Sequence, residues 1–261
     1  MNEVLPPGEL FDLSGKRAAV IGGTGVLGGR FARCLGAAGA EIAVLGRSAE
    51  RGNAVVRTIV EEGGRAFFLA VDVTERDSVA RVADELATMG GVDILVNAAG
   101  VNSATPFPAV SDEEWDRLLD VNLGSVFRAC QVFAPQMRNR PDGASIINIS
   151  SSAASPPVSR VLAYGVSKAG VNNISQYLAR ELASDGVRVN AVIPGFFPAE
   201  QNRTILTRER VDSIIGHTPM RRLGVPEELD GVLLWLASSR ASGFVTGALI
   251  TVDGGFSAMT I

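Results

Sequence analysis

Seven short runs along the chain are apolar at nearly every position: Arg17–Ile21, Glu41–Leu45, Ala66–Val71, Asp93–Val96, Ser145–Ile149, Arg188–Val192 and Ala248–Val252. Unbroken rather than alternating hydrophobicity marks strands covered on both faces, as in parallel sheets. Longer stretches with helical spacing lie between them. Residues 28–38 run to Gly39, residues 48–62 to Gly63-Gly64 and residues 75–89 to Gly90-Gly91. Glycine can stop a helix because it takes left-handed backbone at little cost. A long stretch, 111–138, opens on Ser111-Asp112-Glu113-Glu114, in the manner of a capping box. Strand and helix alternate, which predicts an α/β fold with a doubly wound parallel sheet. Residues 196–220 break this rhythm, being polar, charged and without a strand.

The chain has 261 residues and is 46% hydrophobic, enough for one α/β domain with a sizeable core or at most two small ones. A net charge of −4 gives no electrostatic reason to expect a nucleic-acid partner. Cys34 and Cys130 both fall in helix-like stretches, so a reducing compartment is expected rather than a disulfide framework. No apolar run reaches about 18 residues, so no membrane span is expected. Residues 1–7 lack the basic start and apolar core of a signal peptide. A cytoplasmic protein follows as the default. Neither cysteine has a ligand-spaced neighbour and there is one histidine, so no metal is expected.

Chemistry enters after the first run, where Gly22-Gly23-Thr24-Gly25-Val26-Leu27-Gly28-Gly29 joins a strand to a helix. Gly23-x-Gly25-x-x-Gly28 fits a dinucleotide fingerprint. Glycines let the backbone approach a pyrophosphate, and the helix start offers free N–H groups. The second run ends in Gly46-Arg47, where a carboxylate would bind the ribose hydroxyls of NAD. A guanidinium there can pair with a 2′-phosphate instead, so NADP is expected, with NAD as the alternative.

Tyr164 and Lys168 are four positions apart in a helical stretch and share one face. A phenol is a poor base at neutral pH, and a nearby ammonium is expected to favour its ionised form. Ser151 follows the fifth run and could polarise a substrate oxygen. Taken alone, a Tyr-x-x-x-Lys spacing arises by chance on many amphipathic helices; the glycine loop and the order of elements give it weight. With these residues the chain resembles the short-chain dehydrogenase/reductase family over essentially its whole length. The shared positions include the Gly22–Gly28 loop, Asp72-Val73, Asn97-Ala98-Ala99-Gly100, Asn122, Ser151, Tyr164, Lys168, Pro194-Gly195 and Val252-Asp253-Gly254-Gly255.

The resemblance implies a Rossmann-type, three-layer α/β/α single domain over 1–261, with a substrate-loop insertion at about 196–220. It implies a catalytic tetrad of Asn122, Ser151, Tyr164 and Lys168. Tyr164 would exchange a proton with the substrate oxygen, Lys168 would bind the nicotinamide ribose, and Asn122 would hold a water of the relay. The cofactor would meet Gly22, Thr24, Gly25, Val26, Leu27 and Gly28, with Arg47, Asp72, Val73, Asn97, Ala98, Ala99, Gly100, Pro194 and Gly195. A homotetramer is implied, with helices 111–138 and 161–184 and the last strand in its contacts. Ile21, Val26, Ala98 and Ala199 depart from the family's usual residues, none of them at the reactive group.

The 196–220 segment and the Gly25–Gly28 loop are most similar to the family's D-mannonate oxidoreductases (fructuronate reductases), which interconvert a sugar-acid ketone and its alcohol. A hexuronate needs a cation for its carboxylate, which Arg203 could supply, and hydrogen bonds for its hydroxyls, which Gln201, Asn202 and His217 could supply. The rest of the run Arg203–Arg210 holds mixed charges and is expected to be a solvated face. Two other functions remain open. One is reduction of a 3-oxoacyl group on a carrier protein, with Arg128 and Arg180 as docking cations and Asp185 of the wrong sign. The other is a non-catalytic dinucleotide-binding sensor, against which the complete tetrad argues.

Overall fold

The computed structural model describes residues 4–198 and 207–259. Seven parallel strands form one sheet: β1 (Arg17–Ile21), β2 (Glu41–Gly46), β3 (Arg65–Ala70), β4 (Ile94–Asn97), β5 (Ala144–Ile149), β6 (Val187–Pro194) and β7 (Leu249–Val252). Their spatial order is β3-β2-β1-β4-β5-β6-β7. Each coincides with an apolar run of the sequence to within a few residues. The inner strands are buried almost throughout; β3 and β7, at the two edges, are half-exposed. An edge strand has a partner on one side only, so its apolar run is covered less completely than the pattern predicts.

Helices cover both faces. α2 (Val26–Ala37), α3 (Ala49–Glu61) and α9 (Asp230–Ala237) bury Phe31, Leu35, Ile59, Leu233 and Leu236 against one. α4 (Arg76–Thr88), α6 (Ser125–Met137) and α7 (Leu162–Leu182) bury Val79, Leu86, Phe133, Met137 and Val171 against the other. The short helices α1 (Pro7–Leu10), α5 (Asp112–Leu119), α8 (Arg208–His217) and α10 (Ser239–Ser242) complete the set. The glycine stops act as expected, with φ of +99° at Gly39 and +87° at Gly63.

Two local features differ from the sequence expectations. The stretch 111–138 is one rod containing a π-helical turn over Asp120–Gly124, which joins α5 to α6. Ser111 caps α5 by accepting from the Glu114 N–H at 3.2 Å, but the Glu114 carboxylate does not close a capping box. It accepts instead from the hydroxyls of Ser103 (2.6 Å) and Thr105 (2.8 Å), tying the loop after β4 to the helix. The interrupting segment also contains a helix, α8, capped by Thr207.

In an open parallel sheet, ligands gather outside the strand C-termini where the order reverses. Here that point lies between β1 and β4, and Ile21 pairs with both Leu45 and Asn97. The segments that follow β1 to β6 therefore border one crevice. Among the described residues no helix is long and apolar enough to cross a membrane, and no cluster of His, Cys, Asp and Glu could hold a metal ion.

Candidate active site

A cleft of about 540 Å³ opens at this crevice. Its floor is the turn from β1 into α2. Gly22 has φ +79°, and a Cβ there would lie 2.5 Å from the Ala99 nitrogen. At Gly28 a Cβ would lie 2.1 Å from the Gly22 carbonyl oxygen. No side chain fits either position, so the backbone is bare and the α2 N-terminus faces the cleft. That cradle suits a pyrophosphate, whose charge would meet unpaired N–H groups and the helix dipole. Of the residues expected at a cofactor, Gly22, Thr24, Gly25, Val26, Leu27, Gly28, Arg47, Asp72, Val73, Ala98, Ala99, Gly100, Pro194 and Gly195 all line it.

Asn97 does not. Its side chain is 3% exposed and donates to Asn148 Oδ1 at 2.8 Å, inside the sheet. Arg47 is exposed at the cleft edge, near enough to Asp72 that its charge helps hold that carboxyl below the usual range, after the larger effect of the Thr74 hydrogen bonds.

The groups expected to react line the same cleft. Ser151 follows β5, and its hydroxyl accepts from the Ala153 N–H at 3.1 Å. Tyr164 and Lys168 project from one face of α7, with Lys168 Nζ 5.7 Å from the Tyr164 ring centroid. All three line the cleft. Burial pushes the Tyr164 phenol above its ordinary value, opposed by a hydrogen bond from Ser151. Burial lowers Lys168 to about 8, and its ammonium donates to the Ile149 carbonyl at 2.8 Å. Lys168 is not among the causes of the Tyr164 shift, which burial dominates, and its ammonium gives one of its three donors to a backbone carbonyl.

Asn122 sits inside the π turn and is fully buried. Its Oδ1 accepts from the Val101 N–H at 2.8 Å, and its Nδ2 donates to the Val101 carbonyl at 2.9 Å and to Ser167 Oγ at 3.1 Å. The side chain thus fixes the loop after β4 to α7 and has both amide hydrogens spoken for. Gly100 lies between it and the lysine: a Cβ there would be 3.3 Å from Asn122 Oδ1 and 3.6 Å from Lys168 Nζ.

The substrate side is partly described. Gln201, Asn202 and Arg203 lie outside the described residues, as does Ala199. His217 is exposed at the end of α8 and stacks edge-on against Phe256, ring centroids 4.6 Å apart, rather than lining the cleft. Arg210, on the same helix, does line it, together with Asn102, Ser152, Val158, Val161 and Phe196. The expectation of a solvated face over Arg203–Arg210 missed it. Thr207-Arg208-Glu209-Arg210 signals a helix opening, but not which neighbour the third residue faces.

Comparison with known proteins places this geometry among relatives. The family model described as Enoyl-(Acyl carrier protein) reductase matches residues 25–257. The uncharacterized oxidoreductase UxuB of Bacillus subtilis is 40% identical over 269 residues, covering 95% of this chain and 96% of that one. A gluconate 5-dehydrogenase from Burkholderia cenocepacia, solved with NADP and tartrate, superposes with TM-score 0.92 at 33% identity, over 98% of this chain and all of that one (100%). A Haemophilus influenza protein provisionally named a D-mannonate oxidoreductase, solved with NAD, gives TM-score 0.89 at 32% identity, over 95% of this chain and 97% of that one.

Proposed function

The chain belongs to the short-chain dehydrogenase/reductase family, and from that premise we propose that it interconverts a sugar-acid ketone and its secondary alcohol, with NADP as cofactor and NAD as the alternative. One observation carries this reading. Ser151, Tyr164 and Lys168 share a cleft with the glycine cradle, and the one carboxylate among its described lining residues, Asp72, lies on the Arg47 side. Among the described residues, an anionic substrate at Tyr164 therefore meets a cation and no like charge. The names of two structural neighbours, a gluconate 5-dehydrogenase and a provisional D-mannonate oxidoreductase, point to the same class.

When bound, the nicotinamide supplies the hydride that adds to the carbonyl carbon. Tyr164 gives its proton to the carbonyl oxygen as that oxygen gains charge. Because burial raises the phenol's pKa, it is protonated at neutral pH and ready to act as an acid. The Ser151 hydroxyl, which bonds the phenol, is placed to turn its donor to the same oxygen and polarise it. Lys168 stands behind Tyr164 as a cation below pH of about 8. Asn122 holds Val101, and with it the cleft wall.

Reduction of a carrier-bound 3-oxoacyl group is favoured by the name of one relative, a 3-oxoacyl-[acyl-carrier-protein] reductase of Chlamydia trachomatis that is 34% identical over 245 residues. It loses one of its two docking cations. The Arg128 side chain is 14% exposed and pairs with Asp120 at 2.7 Å, while its Nε donates to the Val73 carbonyl at 2.9 Å. NADPH and NADH oxidation against ketoses, keto-uronates and short 3-oxoacyl esters tests the assignment. Turnover of a keto-uronate with NADPH is expected. Turnover of an acyl ester and no keto-uronate overturns the sugar-acid reading.

A further inference from the structure

Arg210 belongs to no role assigned so far. It lies in the third helical position of α8, where its N–H is held by the Thr207 hydroxyl at 3.3 Å. Its side chain reaches across to the loop between Ser151 and α7, and one terminal NH2 donates to the Ser159 carbonyl at 2.7 Å. Val158 and Val161, on either side of Ser159, line the cleft, and Tyr164 follows three residues after Val161. The bond therefore sets the guanidinium on the cleft rim, against the loop that leads into α7. A guanidinium has five N–H donors in a fixed fork, and the Ser159 carbonyl accepts one. Among the described residues, no carboxylate accepts from this side chain.

The other described cations of the cleft serve different places. Arg47 and Arg51 flank the start of α3 on the Asp72 side, and Lys168 is buried and bonded to Ile149. Among the described residues that line the cleft, only Arg210 brings a partly exposed cation to the side of the loop that leads into Tyr164.

We propose that Arg210 is the carboxylate anchor: it binds the acid group of a polyhydroxy-acid substrate through its free N–H edge and so selects acids over neutral sugars. This rests on the sugar-acid reading above and adds the residue that enforces it. Ser159 pre-orients the fork, so the substrate does not have to order a long side chain on binding. A planar carboxylate meets two parallel N–H groups, which a lysine at the same position could not offer.

The test is binding to the full chain saturated with NADP, followed by calorimetry with D-gluconate and with its neutral counterpart D-glucitol. Arg210→Gln and Arg210→Lys are compared with the unsubstituted protein, and NADP affinity and melting temperature are measured alongside. The expected result is a 10- to 100-fold weaker gluconate affinity in both variants, with glucitol and NADP affinity unchanged. Gluconate binding that survives both substitutions overturns the anchor and leaves the sugar-acid reading standing. Equal losses for gluconate and glucitol also overturn it, and reduce Arg210 to a latch on Ser159. No gluconate binding by the unsubstituted protein overturns the anchor, and the sugar-acid reading falls with it only when no keto-uronate is turned over either.

Discussion

Tyr164 and Lys168 are shifted by the same cause in ways that set the pH behaviour of the site. A phenol whose pKa is raised by burial stays protonated through neutral pH. Ketone reduction is therefore expected to hold steady around neutrality, while alcohol oxidation climbs with pH; steady-state rates in both directions check this. Replacing Tyr164 by Phe is expected to lower kcat/KM by about 10²- to 10⁴-fold with cofactor affinity retained. Activity unaffected by loss of the hydroxyl would sink the proton-relay role and return the sensor reading. Lys168 falls to about 8 from 10.5. The unfolded chain binds that proton more tightly, so folding carries the whole burial penalty below pH 8 and is relieved of it between 8 and 10.5. The stability of Lys168→Met relative to the natural chain is expected to fall by on the order of 3 kcal/mol over that interval. Denaturant unfolding at both ends reads it, and a constant difference would refute it. At Arg47, substitution by Ser is expected to remove most of the preference for NADPH, and equal rates with NADH in the natural chain would remove its proposed role.

At the scale of elements, the β1–α2 turn and the loop after β4 are the two parts on which the proposed chemistry depends. Gly28→Ala would push a methyl to 2.1 Å from the Gly22 carbonyl oxygen, so the turn must open. Loss of NADP binding together with a fall in melting temperature is expected; retained affinity would show that the cradle does not hold the pyrophosphate. Glu114 ties down the other element, and its hydrogen bonds from Ser103 and Thr105 hold its carboxyl below the ordinary 4.5. A depressed carboxylate contributes stability above that value and loses it as pH falls through the lowered one. Glu114→Gln is accordingly expected to raise KM more than it lowers kcat, and to make the chain less stable at neutral pH but not in acid. The strands were legible because a short unbroken apolar run between glycine-bounded helices fits little besides a strand buried on both faces. The helix ends were legible because glycines mark them. The π turn was not, since one extra residue leaves the hydrophobic pattern on either side intact. Arg210 was missed because a sequence gives a charge without its direction.

For the molecule as a whole, the sheet order places the glycine cradle, Asp72, Ser151 and Gly195 at one end, although they lie far apart in the chain. That convergence follows from parallel strands alone, and it explains why motif order sufficed to assemble the site. The remaining surface carries exposed apolar side chains that the core does not use. Phe127 is 45% exposed beside a depression formed by Leu119, Leu123 and Ile174, and Phe244, in the turn before β7, is wholly exposed. These lie on or beside the elements expected to form contacts between subunits. Light scattering is expected to give about four times the 27.3 kDa chain mass, and a monomer across micromolar concentrations would refute the tetramer.

The π turn at Asp120–Gly124 makes the reactive geometry separable from the architecture. Such a turn closes i→i+5 bonds and so accommodates one residue more than a regular turn. Shortening the rod by one, at Val121, would let it relax into an ordinary helix while Leu118 and Phe133 keep facing the core. The deletion should fold and yet lack the Asn122 anchor on Val101. The rod, seen this way, carries an insertion that its packing tolerates and its proposed chemistry uses.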